Sequence, residues 1–292
     1  MFEGSYVALI TPFKDGAVDF EVIEKLVEMH VANGTSGLVP CGTTGESPTL
    51  THPEHRDVIE FVIKCAKGRL PVIAGTGSNS TAEAVALTRA AAEAGATASL
   101  QVAPYYNKPE PDGMFEHFKT VAEESKLPIV LYNVPGRTGR EIALETIYRL
   151  ADEVEHVAAV KAAGGSLDRV SAICRRTRLD VLSGDDSLTL PMMAVGAKGV
   201  ISVVANIVPR DVADMVKAAL ANDFAVAREA HLKLFPLIKA CFLESNPIPI
   251  KAMAAMLGLC SGEVRLPLSA PRSRNRAAIA AAVQEYGMEG GA

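Results

Sequence analysis

The chain has 292 residues, 49% hydrophobic and 22% charged, with a formal net charge of −5. This composition supplies a large core and excludes a disordered chain. The acidic pI of about 5.8 and the absence of tryptophan exclude a basic, base-stacking nucleic-acid surface.

Short apolar runs alternate with amphipathic stretches from the start. "SYVALI" (5–10) reads as a first strand and "DFEVIEKLVEMHVANG" (19–34) as a helix, opened by a capping Asp19 and stopped by Asn33-Gly34. The strand-like runs continue with "SGLVP" (36–40), "LPVIAG" (70–75), "ASLQVA" (98–103), "LPIVLY" (127–132), "HVAAVK" (156–161), "LDVLSG" (179–184) and "KGVISV" (198–203). A further helix, "STAEAVALTRAAAEAG" (80–95), opens at Ser80 or Thr81 and closes at Gly95. Eight strand–helix units, roughly 25 residues apart, match the repeat of a (β/α)8 TIM barrel. The strands are apolar almost throughout, as in parallel sheets covered by helices. A doubly wound open sheet is the competing arrangement, with fewer strands at this length. Beyond about residue 224 the pattern turns helical ("AREAHLKLFPLIKACFLES", "IPIKAMAAMLGL", "RNRAAIAAAVQEY"). The expected organisation is an α/β barrel over 1–224 with a small C-terminal helical appendage over 225–292.

Five cysteines (Cys41, Cys65, Cys174, Cys241, Cys260) lie at scattered positions with no CxxC. That argues against a disulfide scaffold and for a reducing compartment. The opening "MFEGSYVALITPFKDG" lacks a basic n-region, and no apolar run approaches membrane-spanning length. The expected location is the cytoplasm.

In such a barrel the chemistry gathers at the C-terminal ends of the strands. Those ends carry Thr11; Thr43 and Thr44 in "CGTTGES"; "GTGSN"; Tyr105 and Tyr106 in "PYYNKP"; Tyr132 and Arg137 in "YNVPGRTG"; Lys161; "SGDD"; and Ser202. Lys161 ends an apolar strand. A free lysine, with a pKa of about 10.4, is almost wholly ammonium at neutral pH, and burial disfavours the charged form. Apolar burial is therefore how Schiff-base lysines are activated. On position alone, a snorkelling lysine or one paired with Asp185 stands equally open. The neighbouring hydroxyls and Arg137 favour the imine. Tyr132, on the adjacent strand, is the natural proton donor and acceptor, with Thr43 and Tyr106 able to carry the proton onward. One of Tyr105 and Tyr106 also fits a loop anchor. Arg137 suits a bidentate grip on a carboxylate; a surface salt bridge is the plainer alternative.

Other signals are weaker. "GTGSNS" imitates a dinucleotide fingerprint, but Ser80 replaces the third glycine and the motif follows the third strand. The acidic "SGDD" argues against a phosphate site. His52 and His55 lie one helical turn apart, yet lack the third ligand zinc requires; exposed helix-start residues or an effector contact fit better. Cys41 reads as a small buried thiol.

With these residues in hand, the sequence resembles the dihydrodipicolinate synthase family, (β/α)8 barrels of the pyruvate-dependent class I aldolases. The matching segments, in order, are "CGTTGESPTLTHPEH", "GTGSNSTAEA", "APYYNKP", "LYNVPGRTG", "GDD", "GVISVVAN" and "NPIPIKAMAAMLGL…VRLPL". The resemblance implies that Lys161 forms an imine with pyruvate and that the derived enamine attacks L-aspartate 4-semialdehyde, a step of lysine and diaminopimelate synthesis. It implies a proton relay of Thr43, Tyr106 and Tyr132, with Tyr106 reaching in from a neighbouring subunit. Arg137 would hold the semialdehyde carboxylate, and Thr44, Gly184 and Ile201 would line the pyruvate pocket. No metal or organic cofactor is implied, and the assembly implied is a homotetramer of two tight dimers. An L-lysine effector site would comprise Ser47, His52, His55, Asn79, Glu83 and Tyr105. Two departures stand out. "KAAGGS" replaces the frequent "KEATG", placing Ala162 and Gly164 beside the lysine, and Pro48 stands where a smaller residue is frequent near the effector cleft. Two other readings compete: a different 2-oxo acid aldolase of the family, and a catalytically silent barrel acting as a ligand sensor. The intact lysine, tyrosines and Thr43 argue against the second.

Overall fold

The computed structural model describes residues 1–288. Eight parallel strands form one sheet: β1 (Gly4–Ala8), β2 (Gly37–Val39), β3 (Ile73–Gly75), β4 (Ala98–Val102), β5 (Ile129–Asn133), β6 (Val157–Ala162), β7 (Asp180–Ser183) and β8 (Gly199–Ser202). Their hydrogen-bonded order is β2-β1-β8-β7-β6-β5-β4-β3, and a parallel bridge between Leu38 and Val72 joins the two ends. The sheet thus closes into the expected (β/α)8 barrel. Each of the eight apolar runs overlaps a strand, with ends that differ by at most three residues.

The helices after the strands are α1 (Phe20–Ala32), α2 (His52–Ala66), α3 (Thr81–Glu93), α4 (Pro111–Ser125), α5 (Leu144–Glu153), α6 (Leu167–Arg176), α7 (Thr189–Ala194) and α8 (Pro209–Leu220). Side-chain oxygens at the first turns satisfy amides that would otherwise lack partners. Asp19 accepts from Val22 N, and Ser80 accepts from Glu83 N. At α2, Thr51 and Glu54 form a reciprocal capping box. A two-residue hairpin, Phe13–Lys14 against Ala17–Val18, was not among the expected elements. Its strands are too short to carry an alternation, and only the Asp15-Gly16 turn announces it.

Two apolar layers hold the barrel. Inside, Tyr6, Ala8, Val39, Ile73, Ala98, Leu100, Val130, Tyr132, Ala159, Leu182 and Ile201 pack together. Outside, the opposite strand faces meet the helices in a much larger cluster. Because both faces are buried, the strands read as apolar runs rather than alternations.

Three helices follow: α9 (Phe224–Ala240), α10 (Ile248–Met256) and α11 (Ser273–Glu285). Most of their buried apolar residues, among them Leu234, Leu237, Met253 and Ile279, belong to the same outer cluster as the barrel helices. The division into 1–224 and 225–292 is thus a proposal about folding units, and residues 289–292 of the expected appendage lie outside the described residues. Among the described residues no helix is long and apolar enough to cross a membrane.

Candidate active site

Lys161 sits on β6 in register with Tyr132 of β5 and Leu182 of β7. Two residues before it, Ala159 belongs to the interior cluster, and the period of two turns Lys161 to the same side. The side chain is only 6% exposed, and its Nζ lies 4.2 Å from the centroid of the Tyr132 ring. Asp185, the alternative partner, turns elsewhere: its Oδ1 accepts from the Ser187 amide and hydroxyl at 3.1 and 2.9 Å.

Gly184 follows β7, and its amide donates to Ala162 O at 2.7 Å. A Cβ there would stand 2.8 Å from Ala163 Cβ and 3.0 Å from Lys161 Cγ and Cε. The glycine therefore makes the room in which the lysine lies. Ile201 of β8 is fully buried in the interior layer. Gly164 also makes room: a Cβ there would meet Asn133 Nδ2 at 3.2 Å and Glu141 Oε1 at 3.3 Å. Glu141 is itself paired with Arg169 at 3.2 Å.

A cavity of about 370 Å³ opens beside Tyr132 and is lined also by Thr43, Val134, Arg137 and Thr138. Tyr132 belongs both to this wall and to the lysine contact. Arg137 lies in a one-turn helix, Pro135–Thr138, and its Nη2 donates to Asn246 O at 3.3 Å. Thr44 is buried, and its Oγ1 accepts from Asn246 Nδ2 at 2.8 Å. Tyr106 does not line the cavity of its own chain. It is 90% exposed, with a left-handed φ of 71°.

The same cavity continues to Ser47, Pro48, His52, His55, Glu83 and Tyr105. His52 Nε2 pairs with Glu83 Oε1 at 2.8 Å, and Ser78 donates to the same carboxylate. Asn79 Nδ2 donates to Tyr105 O at 3.0 Å. Of the two readings offered for the histidines, exposed helix-start residues or an effector contact, exposure holds for His52 only. His55 is buried, its Nε2 lies 2.8 Å from Gly75 O, and burial lowers its pKa. Burial pushes the Cys41 thiol well up, which makes it a poor nucleophile. The glycines of "GTGSNS" have a packing reason. A Cβ at Gly75 would stand 2.3 Å from Cys41 O, and one at Gly77 2.4 Å from Val102 N.

Three residues near the site escaped the sequence reading: Asn246, Glu46 and Lys251. Asn246 bridges Arg137 and Thr44. Glu46 and Lys251 form a fully buried ion pair at 2.6 Å. Burial lowers the Lys251 pKa while Glu46 opposes it. The one available signal was a lone cation in the apolar "IPIKAMAAM".

A lysine buried inside a closed barrel, against a tyrosine and beside a cavity carrying a threonine and an arginine, defines a (β/α)8-barrel enzyme equipped for carbonyl chemistry. The model of the dihydrodipicolinate synthetase family matches residues 1–286, and the chain belongs to that family. It is 53% identical over 290 residues to 4-hydroxy-tetrahydrodipicolinate synthase of Aquifex aeolicus (strain VF5), covering 99% of both chains. The crystal structure of dihydrodipicolinate synthase from Aquifex aeolicus superposes with a TM-score of 0.98 at 52% identity, over 100% of both chains. The chloride-inhibited dihydrodipicolinate synthase from Acinetobacter baumannii, complexed with pyruvate, gives 0.96 at 43% identity, over 99% of this chain and 100% of that one. The enzyme from Cyanidioschyzon merolae with lysine bound gives 0.95 at 37%, over 98% and 99%.

Proposed function

We propose that this chain is a 4-hydroxy-tetrahydrodipicolinate synthase, which condenses pyruvate with L-aspartate 4-semialdehyde in lysine and diaminopimelate biosynthesis. The observation that carries the reading is Lys161 beside Tyr132 at the mouth of the barrel. The Lys161 amine attacks the pyruvate ketone, and loss of water gives the imine. The imine draws electrons from the methyl carbon, which loses a proton to become an enamine. That carbon then bonds to the aldehyde carbon, whose oxygen takes up a proton to become the 4-hydroxyl. The amino group of the semialdehyde part then attacks the imine carbon and displaces the Lys161 amine, closing the ring as the cyclic imine product. The lysine imine is the electron sink, so no metal or organic cofactor enters the scheme.

The Tyr132 ring lies beside the amine, and its hydroxyl serves as acid and base while water leaves and the ring closes. Thr43 shares the cavity with Tyr132 and extends the relay. Tyr106 completes it from a neighbouring copy, in keeping with its exposure and left-handed backbone. The proposed assembly is a homotetramer of two tight dimers, and the proposed location the cytoplasm. Thr44, Gly184 and Ile201 shape the pyruvate end. Arg137 takes the semialdehyde carboxylate, since among the described residues its guanidinium is held by one backbone carbonyl. The outer part of the cavity, with Ser47, His52, His55, Asn79, Glu83 and Tyr105, is proposed to bind L-lysine as a feedback effector. The likeness to the lysine-bound relative supports this.

The test is trapping with pyruvate and borohydride, followed by peptide mass spectrometry and a turnover assay with L-aspartate 4-semialdehyde. An adduct on Lys161 together with turnover is expected. An adduct on another lysine, or none on folded protein, refutes the proposal.

A further inference from the structure

One buried charge cluster takes no part in the scheme above. Lys251 of α10 places Nζ 2.6 Å from Glu46 Oε1 and 2.8 Å from Thr11 O, with the Phe13 ring centroid at 4.2 Å. The other carboxylate oxygen of Glu46 accepts the Arg265 amide at 3.0 Å. Neither side chain of the ion pair reaches solvent. Two well-packed apolar residues hold such a position at least as stably as a buried ion pair does. Stability alone therefore does not account for Lys251 and Glu46, whereas direction does.

Glu46 closes the turn that carries Thr43 and Thr44. Its amide donates to Thr43 O at 3.1 Å, and the Gly45 amide donates to Gly42 O at 3.1 Å. Glu46 adopts a left-handed φ of 55°, which a non-glycine residue holds only when its surroundings impose it. The turn has no room for an anchor one residue earlier. A Cβ at Gly45 would stand 2.9 Å from Cys41 N and 3.1 Å from Leu9 O. The Glu46 carboxylate, gripped by Lys251 and by the Arg265 amide, holds the turn from the side of the C-terminal helices at the end away from Thr44, which Asn246 holds.

We infer that the Lys251–Glu46 pair is a positioning device that sets the Thr43 hydroxyl for proton transfer. The inference rests on the reading of Thr43 as a relay group. Glu46 and Lys251 act through Thr43 and touch no substrate, so they are positioning residues.

The experiment compares wild type, Glu46→Gln/Lys251→Met and Thr43→Val, plus the triple combination, in the full chain. The double variant removes both charges, so neither is left buried alone. It is expected to melt within a few degrees of wild type and to form the Lys161 pyruvate adduct. Its kcat is expected to fall about ten- to a hundredfold, the scale for small misplacements of a reacting group, with a smaller change in KM for pyruvate. On the Thr43→Val background the same pair of changes is expected to cost nothing further. Wild-type kcat in the double variant overturns the inference, as does an equal loss with and without Thr43. Should the double variant not fold, Glu46→Asp keeps the charge but shortens the arm, and the same cycle applies with the same two outcomes. Absence of any Lys161 adduct in the wild-type chain refutes the proposed function instead, so the two failures are distinguishable.

Discussion

Replacing Gly184 by alanine adds one methyl group where none fits. The new Cβ stands 2.8 Å from Ala163 Cβ and 3.0 Å from Lys161 Cγ and Cε, whereas ordinary contact begins at 3.4 Å. The backbone of Gly184 is outside the left-handed region, so alanine meets no conformational penalty and the change tests space alone. The Ala163 methyl is fixed to the backbone, so the local backbone must shift to clear it, while the lysine arm clears the new methyl by bending. Lys161 therefore yields, by about half an ångström in a close-packed interior. Overpacking of this kind costs about 1–3 kcal/mol, which lowers the melting temperature by roughly 2–6 °C at the slope for large domains. Misplacing a reacting group by about 1 Å costs on the order of a hundredfold, so half that shift slows imine formation roughly tenfold. The assay is the rate of borohydride-trapped adduct at saturating pyruvate, read beside a melting curve. A wild-type trapping rate with a lowered melting temperature would show that Gly184 does not set the amine's position.

Glu54 gives a pH prediction. Hydrogen bonds from Arg265 pull its pKa down to about 2, with burial acting against them. The folded carboxyl thus binds its proton less tightly than the unfolded one, and the pair adds stability above about pH 4.5 that is lost as pH falls toward 2. Glu54→Gln is expected to flatten the acid side of the melting-temperature profile, and an unchanged slope there counts against the pair. Arg137→Ala is expected to raise KM for L-aspartate 4-semialdehyde about ten- to a hundredfold, the worth of a charge-assisted pair, and to change KM for pyruvate much less. Equal effects on both substrates would remove Arg137 from the semialdehyde site and favour a different aldolase. Glu83→Gln is expected to weaken L-lysine inhibition roughly tenfold or more, read as the ratio of inhibited to uninhibited rates, and undiminished inhibition would place the effector elsewhere.

The barrel was legible because each of its strands is buried on both faces and marks itself as an apolar run. Tyr132 and Lys161 were legible for a related reason: each is polar at the end of such a run, and adjacent strands in parallel register bring the ends together. The rest of the site depends on distant partners. Asn246 reaches Thr44 and Arg137 from the segment before α10. Arg265 reaches Glu54 and Glu46 across more than two hundred residues. No local period encodes such contacts. The burial of His55 was hidden in the same way, because its partner, the Gly75 carbonyl, lies at the end of another strand. Tyr106 was named from its motif, but its own chain leaves it in solvent.

Among the described residues two buried lysines interrupt apolar runs, and as sequence they pose the same question. Lys251 is the more deeply buried, yet its ammonium is answered on every side by the Glu46 carboxylate, the Thr11 carbonyl and the Phe13 ring. Such an amine is occupied, and its hydrogen-bond capacity is spent on holding a loop. Lys161 faces the Tyr132 ring and the gap left by Gly184, with no carboxylate pairing among the described residues. Burial by itself therefore does not single out the reactive lysine. What separates the two is the partner: an amine with a carboxylate at hydrogen-bond distance is a structural cation, and one set against a tyrosine that lines a cavity is the proposed nucleophile. That distinction needs the fold, because the partner of Lys251 lies 205 residues away in the chain.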